Sequence, residues 1–447
     1  MTKDLTRGTP WKLILQFALP IMAGNLLQQL YNTADTIIVG NFNGQQALSA
    51  VGACASLTVL FTALAIGFSI GAGVLISQYF GASREQELRQ YAATAIVLML
   101  AMGLLMSLIG VCSARFLLAR ALGTPEALLP LTLLYFRIYA AGLVFQFGYN
   151  IAAALLRALG DSKATLYFLL VSSVLNVVLD LVFVAGLGMG VAGAAIATVI
   201  SQIASCVIGF AYMHRRYALL RFSLRELRMD LKTAGRILQV GAPMAIQQSI
   251  VSCGFLFLQR LVNYYGESMI ASYTVASRME NILMIPIIGI QNTMATYAGQ
   301  NMGARQPERI RKIIRTGLGM HLGFSALFSL TLFLTRYLTV RCFTDDPAVI
   351  AEGVTIICML AFFYPVFCCV EVFSSAMRGC GNSVMPTVLT LFGTCLLRLA
   401  LLYTVTFPHL NNWTIAICYP ATWGTTSLLF LIYYRFFRWM PGQKPQT

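Results

Sequence analysis

Apolar runs of about twenty residues or more follow one another along the whole chain, and each is long enough to cross roughly 30 Å of hydrocarbon as a helix. Between charged or turn-rich breaks they fall near 13–39, 47–77, 91–112, 128–154, 164–186 and 191–212. Six more follow near 237–262, 270–298, 313–335, 349–377, 384–407 and 413–434. A backbone inside lipid must satisfy its own hydrogen bonds, which a helix does. The runs therefore predict an all-α integral membrane protein with twelve transmembrane helices. Only 11% of the residues are charged and 58% are hydrophobic, where a soluble domain carries about a quarter charged residues. No soluble domain fits between the runs.

The formal net charge of +15 suggests nucleic acid until the charges are placed. Arg115, Arg120, Arg336 and Arg341 fall in alternate loops, and Arg137, Arg260, Arg278 and Arg398 fall within apolar segments. The other 23 of the 31 Lys and Arg lie in the remaining loops and tails. That asymmetry puts both termini in the cytoplasm and assigns the basic charge to orientation and anionic lipid, with no nucleic-acid partner. The predicted location is the cell's inner (plasma) membrane, multi-pass.

The eleven cysteines form no CxxC pair and have no histidine at metal spacing, so they read as reduced, small apolar residues. The first apolar run is longer than a signal peptide's and lacks a small-residue cleavage site, so it is expected to remain in the mature protein.

A shift of about 222 residues superposes the two halves. Leu15-Gln16-Phe17-Ala18-Leu19-Pro20 matches Leu238-Gln239-Val240-Gly241-Ala242-Pro243. Gln78-Tyr79-Phe80-Gly81-Ala82 matches Gln300-Asn301-Met302-Gly303-Ala304, and Arg157-Ala158-Leu159-Gly160-Asp161-Ser162 matches Arg378-Gly379-Cys380-Gly381-Asn382-Ser383. An even number of spans separates matched points, so the halves share one orientation and form a parallel repeat. The expected organisation is a six-helix lobe over 1–213, a basic cytoplasmic linker over 214–235, and a six-helix lobe with a short tail over 236–447. The linker, with Arg215, Arg216, Arg221, Arg225, Arg228 and Lys232 among leucines, reads as a connector with the composition of an interfacial amphipathic helix.

A charge at mid-membrane costs on the order of 2.5 to 3.5 kcal/mol by insertion scales, so each one calls for a role. Asp35 and Asp180 each lie roughly 8 to 9 Å inside the outer edge at 1.5 Å per residue. Asn176 stands one turn deeper than Asp180 on the same face, and Thr198 on the next span is at a similar level. Carboxylate, amide and hydroxyl oxygens together suit a sodium ion or a proton equally. The alternative is that the two acids only cap or pair with neighbouring helices; Arg137 could neutralise one of them, not both. Pro20 removes a backbone hydrogen bond about four turns below Asp35 and is the candidate hinge. In the second half Leu258 replaces Asp35. Asn150, Glu280, Glu371 and Arg398 are the candidate cavity residues, with ion pairing among Arg278, Glu280 and Arg398 weighed equally.

Gly188-x-Gly190-x-x-Gly193 fits a dinucleotide fingerprint but joins two apolar helices with no preceding strand, and small-residue packing explains it. Asn412-Trp413-Thr414 fits a glycosylation sequon that decides nothing by itself. His214, His321 and His409 are isolated, and no catalytic motif is present, so the chain is not read as an enzyme.

Several stretches together resemble the MATE (multidrug and toxic compound extrusion) family: Phe17-Ala18-Leu19-Pro20 leading to Asp35, Gln78 to Ala82, Arg157 to Asp161, Asn176 with Asp180, Gly188 to Thr198, and Arg278-Met279-Glu280-Asn281. The resemblance implies a V-shaped pair of six-helix bundles that exports cationic or aromatic drugs and metabolites in exchange for sodium or protons, by rocking between two access states. It implies a cation site at Asp35, Asn176, Asp180 and Thr198, and bending at Pro20. It implies no cofactor beyond the coupling ion. The partners expected are small-molecule organic cations and membrane lipid, for a monomer. A flippase for a lipid-linked precursor is the alternative, and a membrane-embedded enzyme the third reading. Where some relatives carry an acidic residue on the seventh helix, this chain has Phe255, Leu256 and Gln259.

Overall fold

The computed structural model describes residues 4–223, 225–263, 267–342, 346–406 and 412–440. The described residues are helical almost throughout, with no strand among them. The helices are α1 (Pro10–Gly81), α2 (Glu85–Arg115), α3 (Leu129–Ala141), α4 (Leu143–Ala158), α5 (Ser162–Asp180), α6 (Gly190–Arg216), α7 (Leu231–Asn263), α8 (Glu267–Gly303), α9 (Pro307–Arg341), α10 (Pro347–Gly379), α11 (Val384–Thr390), α12 (Leu397–Leu401) and α13 (Asn412–Phe436). Helix α1 breaks at Gly44, whose φ of 76° and ψ of −177° no helix contains, so it is two spans. Helices α3 and α4 meet at a 44° bend and make one span. Wider π turns extend α2 over Phe116–Ala121 and α5 over Leu181–Gly186, and join α11 and α12 into one span. Twelve spans result, at the places the apolar runs predict. Glycine makes the α3–α4 bend: a Cβ on Gly142 would stand 2.6 Å from a methyl of Val199 on α6.

The chain divides into two compact units. One is Met1–Asp4 with Pro20–Ile246, the other Leu5–Leu19 with Gln247–Thr447. The chain thus leaves the second unit for the first at Pro20, and returns at Gln247, four residues after the matching Pro243. The first unit packs an apolar core of α1, α2, α4, α5 and α6 around Met99, Phe147, Ile151, Leu155 and Phe168. In the second, Tyr364, Tyr419 and Trp423 centre a core between α10 and α13.

The internal repeat holds at atomic detail. Ser83 and Arg305 occupy matched turns at φ 55°, and Gly160 and Gly381 match at 88° and 91°. Asp161 Oδ1 accepts from the Ala164 amide at 3.0 Å, and Asn382 Oδ1 accepts from Met385 at 3.4 Å, each opening the following helix. Tyr212 donates to Asp161 in the first unit, while Asn382 donates to Tyr433 in the second.

The basic linker is not the amphipathic helix that its composition suggests. Helix α6 runs on to Arg216 and α7 begins at Leu231, and between them the only helical turn among the described residues is Ala218–Leu220. Arg89 on α2 donates to the carbonyls of Ala218, Leu219 and Arg221 at 3.1, 3.3 and 3.1 Å and to Glu226 at 2.7 Å. These bonds fix the carbonyls of a stretch that is not α-helical, and the Ala218 carbonyl also accepts from the Arg221 amide at 3.2 Å. The second unit treats the segment before α1 the same way. Arg309 donates to Gly8 and Leu5 carbonyls at 2.9 and 3.3 Å, and Gln300 accepts from the Leu5 amide at 2.9 Å.

The Ser223 amide first, then Arg89, hold the Glu226 carboxyl down at about 2, against 4.5 ordinarily. A depressed value means that the contact is in place above the ordinary glutamate range and is lost as pH falls through about 2. At neutral pH, Arg89→Ala is expected to free the linker, so that trypsin cuts after the exposed Arg225 or Arg228 several-fold faster than in the unaltered protein. Unchanged digestion shows that Arg89 does not hold the linker.

Candidate functional site

Asp180 is the last residue of α5, immediately before the π turn Leu181–Gly186, and is wholly buried. Asp35 on α1 is half-buried. The two carboxyl groups stand within hydrogen-bond reach of each other. Asp35 Oδ1 and both Asp180 oxygens have no donor among the described residues. Two carboxylates cannot bond to one another unless a proton or a cation lies between them. Asn176, one turn deeper on α5, is 2% exposed, and neither its Nδ2 nor its Oδ1 has a partner. Arg137 neutralises neither acid: it is exposed, with no ion pair among the described residues.

The first, second and fourth spans add groups that residue spacing does not reveal. Tyr31 on α1 and Tyr135 on α3 lie within electrostatic reach of Asp35. Tyr139, one turn on, stacks with Tyr135 at 6.4 Å and donates to Gln146 Oε1 at 3.1 Å, while Gln146 Nε2 donates to Thr62 at 2.7 Å. Tyrosines four apart on an apolar helix read as core until the fold brings the aspartates beside them. Their i, i+4 spacing is the only signal in the sequence.

Thr198 is half-buried, and its hydroxyl donates to the Ala194 carbonyl on its own helix at 3.0 Å rather than to either carboxylate. The hydroxyl oxygen keeps lone pairs for a ligand, but it is not joined to the acid pair. Asn150 likewise donates to its own helix, at Gln146 O, 2.9 Å away.

In the second unit Glu280 is 8% exposed and within electrostatic reach of Arg398. The expected ion pair does not close. Arg398 lies over the Tyr419 ring, 4.5 Å from its centroid, and donates to Thr422 at 3.3 Å. Arg278 is exposed. Glu371 has an oxygen without a donor, and the nearby Arg378 donates instead to Gln247 at 2.8 Å. The side chains of Phe255, Leu256, Leu258, Gln259 and Arg260 lie outside the described residues. Among those described, no group of three or more His, Cys, Asp or Glu is placed to hold a metal ion. An ion at the acid pair would therefore draw on amide and hydroxyl oxygens as well.

Twelve apolar spans in two matched sets, with an unneutralised acid pair inside one of them, define a multi-pass membrane transporter and not an enzyme. The MatE family model matches the chain twice, over residues 20–182 and 243–404. The chain belongs to the MatE family. Its two matches begin at the paired prolines, Pro20 and Pro243. The chain is 29% identical over 441 residues to the probable multidrug resistance protein YpnP of Bacillus subtilis, covering 98% of this chain and 97% of that protein. It is 26% identical over 444 residues to the probable multidrug resistance protein YoeA of the same organism, covering 98% and 96%. A solved structure described as the outward-facing conformation of a multidrug resistance MATE family transporter superposes with a TM-score of 0.90 at 25% identity, covering 97% of each chain.

Two carboxyl groups within hydrogen-bond reach, with no ion pair to either among the described residues, repel when both are charged, so removing one charge is expected to stabilise. Asp35→Asn and Asp180→Asn should each raise the thermal midpoint of the purified protein. A fall in both shows that the acids stabilise the fold and are not held against repulsion.

Proposed function

We propose that this chain is an antiporter that exports cationic or aromatic drugs and metabolites in exchange for a sodium ion or a proton. The contact between Asp35 and Asp180 carries the reading. A carboxylate pair that needs a positive charge between its members is a site where a cation loads and unloads. Asn176 supplies a further unpartnered oxygen, and Thr198 completes the set when its lone pairs turn to the same ion. Relatives named as multidrug resistance proteins support an exporter of small organic molecules.

Exchange needs the site to face each side of the membrane in turn, and binding shifts that balance only through different affinities in the two states. Rocking of the two halves, with flexion of α1 at Pro20, is the proposed motion. A proline gives no amide to the residue four before it, which lowers the cost of bending there. Asn150, Glu280, Glu371 and Arg398 are proposed to meet the substrate. The protein works as a monomer in the inner membrane with both termini cytoplasmic, as its loop charges support, and needs no cofactor beyond the coupling ion.

Efflux of a fluorescent organic cation from energised vesicles tests the proposal. Asp35→Asn and Asp180→Asn should each slow it about tenfold or more, ~1.4 kcal/mol of barrier. Unaltered rates in both overturn it. Imposing a pH gradient and then a sodium gradient on the unaltered protein identifies the ion.

A further inference from the structure

The same position in the two repeats holds an apolar contact in one unit and a buried polar seam in the other. In the first unit α2 meets α4 with Met99, Gly103, Leu143, Phe147, Ala153 and Ala154, all buried. A Cβ on Gly103 would stand 2.9 Å from that of Phe147. Under the repeat these positions become His321, Ser325, Tyr364, Cys368, Ser374 and Ser375 on α9 and α10 of the second unit. The contact is kept but changes chemistry: Cys368 Sγ donates to Ser325 Oγ at 3.1 Å. His321 lies one turn before Ser325, on the same face, and is 1% exposed.

Among the described residues neither ring nitrogen of His321 has a hydrogen-bond partner, nor does Ser329 Oγ, Tyr364 Oη, Glu371 Oε2 or Ser374 Oγ. A neutral imidazole offers one donor and one acceptor, and leaving both unmet in a buried site costs a few kcal/mol unless water or a proton meets them. The matching Ser107 of the first unit shows the contrast, because it accepts from the Val144 amide at 3.2 Å. Orphaned polar groups running along one helix pair are what buried water binds.

We propose that the α9–α10 seam binds protons and the water that carries them, with His321 as the group that changes charge, making a proton site separate from Asp35 and Asp180. The groups facing it are identifiable. Helix α10 presents Cys368, with Tyr364 and Glu371 within electrostatic reach of that thiol and of each other. On α8, the other helix packed on α9, Met294 stands against Gly317, one turn before His321. The titratable side chains of the described part of α8 are Glu280, within reach of Tyr364, Arg278, which is exposed, and Tyr297, which accepts from Arg309. Among the described residues no basic side chain is recorded against His321, and Tyr364 and Glu371 are related to it through Cys368. As an extension of the antiport reading, the seam is a second route by which protons enter the cycle.

Nitrogen NMR of the full chain, labelled with ¹⁵N-histidine in lipid nanodiscs, tests the site without transport. The sequence has only three histidines, His214, His321 and His409, so His321→Gln assigns one resonance by its loss. Should that variant fail to fold, His214→Gln and His409→Gln assign the same resonance by elimination. The expected result is that the His321 signal moves between its neutral and protonated positions over about pH 5 to pH 9, as a proton-accepting imidazole does, and still moves in Asp35→Asn. The exposed His214 is the internal control. A His321 signal that stays fixed while His214 moves overturns the proposal. Loss of efflux in Asp35→Asn with a fixed His321 signal leaves the antiport reading standing and removes only the second site.

Discussion

Two carboxylates in contact inside a bilayer require a positive charge between them, and the first unit depends on that requirement. Asp180 is carried to the contact by α5 at the point where the helix widens into a π turn, a form that recurs at functional sites. The matched turn of the second unit, Leu402–Thr406, is also π-helical yet carries no acid: Leu401 stands where Asp180 would repeat. The widened turn thus belongs to the scaffold, and the aspartate is an addition to it. Tyr31 and Tyr135 add polar groups within electrostatic reach of Asp35 without bringing in a cation.

Duplication supplies geometry more faithfully than chemistry. Both units repeat the left-handed turn residues, the Asp161 and Asn382 caps, and an arginine that seizes the carbonyls of the segment leading into the other half's first helix. These devices answer a demand that is the same in both halves, the satisfaction of backbone groups where helices end. Side chains inside the units are free of that demand and diverge. The first unit has Asp35, Asn176 and Asp180 among its unpartnered polar groups and packs its α2–α4 contact with apolar residues. The second leaves the equivalent acid positions leucine and places its unpartnered polar groups along α9 and α10.

Span positions, the repeat, the paired prolines and the acid pair are legible in the sequence because each follows from a one-dimensional pattern: hydrophobic length, a fixed offset, or a charge where none is cheap. Asn176 and Asp180 share a face by simple helical spacing, and equal depth brings Asp35 to their level. What a depth argument cannot supply is direction around a helix axis. Thr198 has the right level and bonds to its own backbone; Arg398 has the right charge and lies over Tyr419 instead of closing on Glu280. The linker misleads for another reason. Its leucines and arginines have the composition of an interfacial helix, but one guanidinium on α2, far away in sequence, binds the carbonyls of a path there that is not α-helical. His321 reads as isolated in the sequence because its seam is built from α10, more than forty residues onward.

The central claim is that Asp35 and Asp180 hold one exchangeable positive charge between them. Proton release from the purified protein in weakly buffered solution reads it directly, on addition of sodium chloride and, separately, of an organic dye cation. The account predicts that the unaltered protein releases a proton to at least one of the two additions, and that a chain carrying both Asp35→Asn and Asp180→Asn releases none. Equal release from the two proteins, or none from the unaltered one, would contradict it.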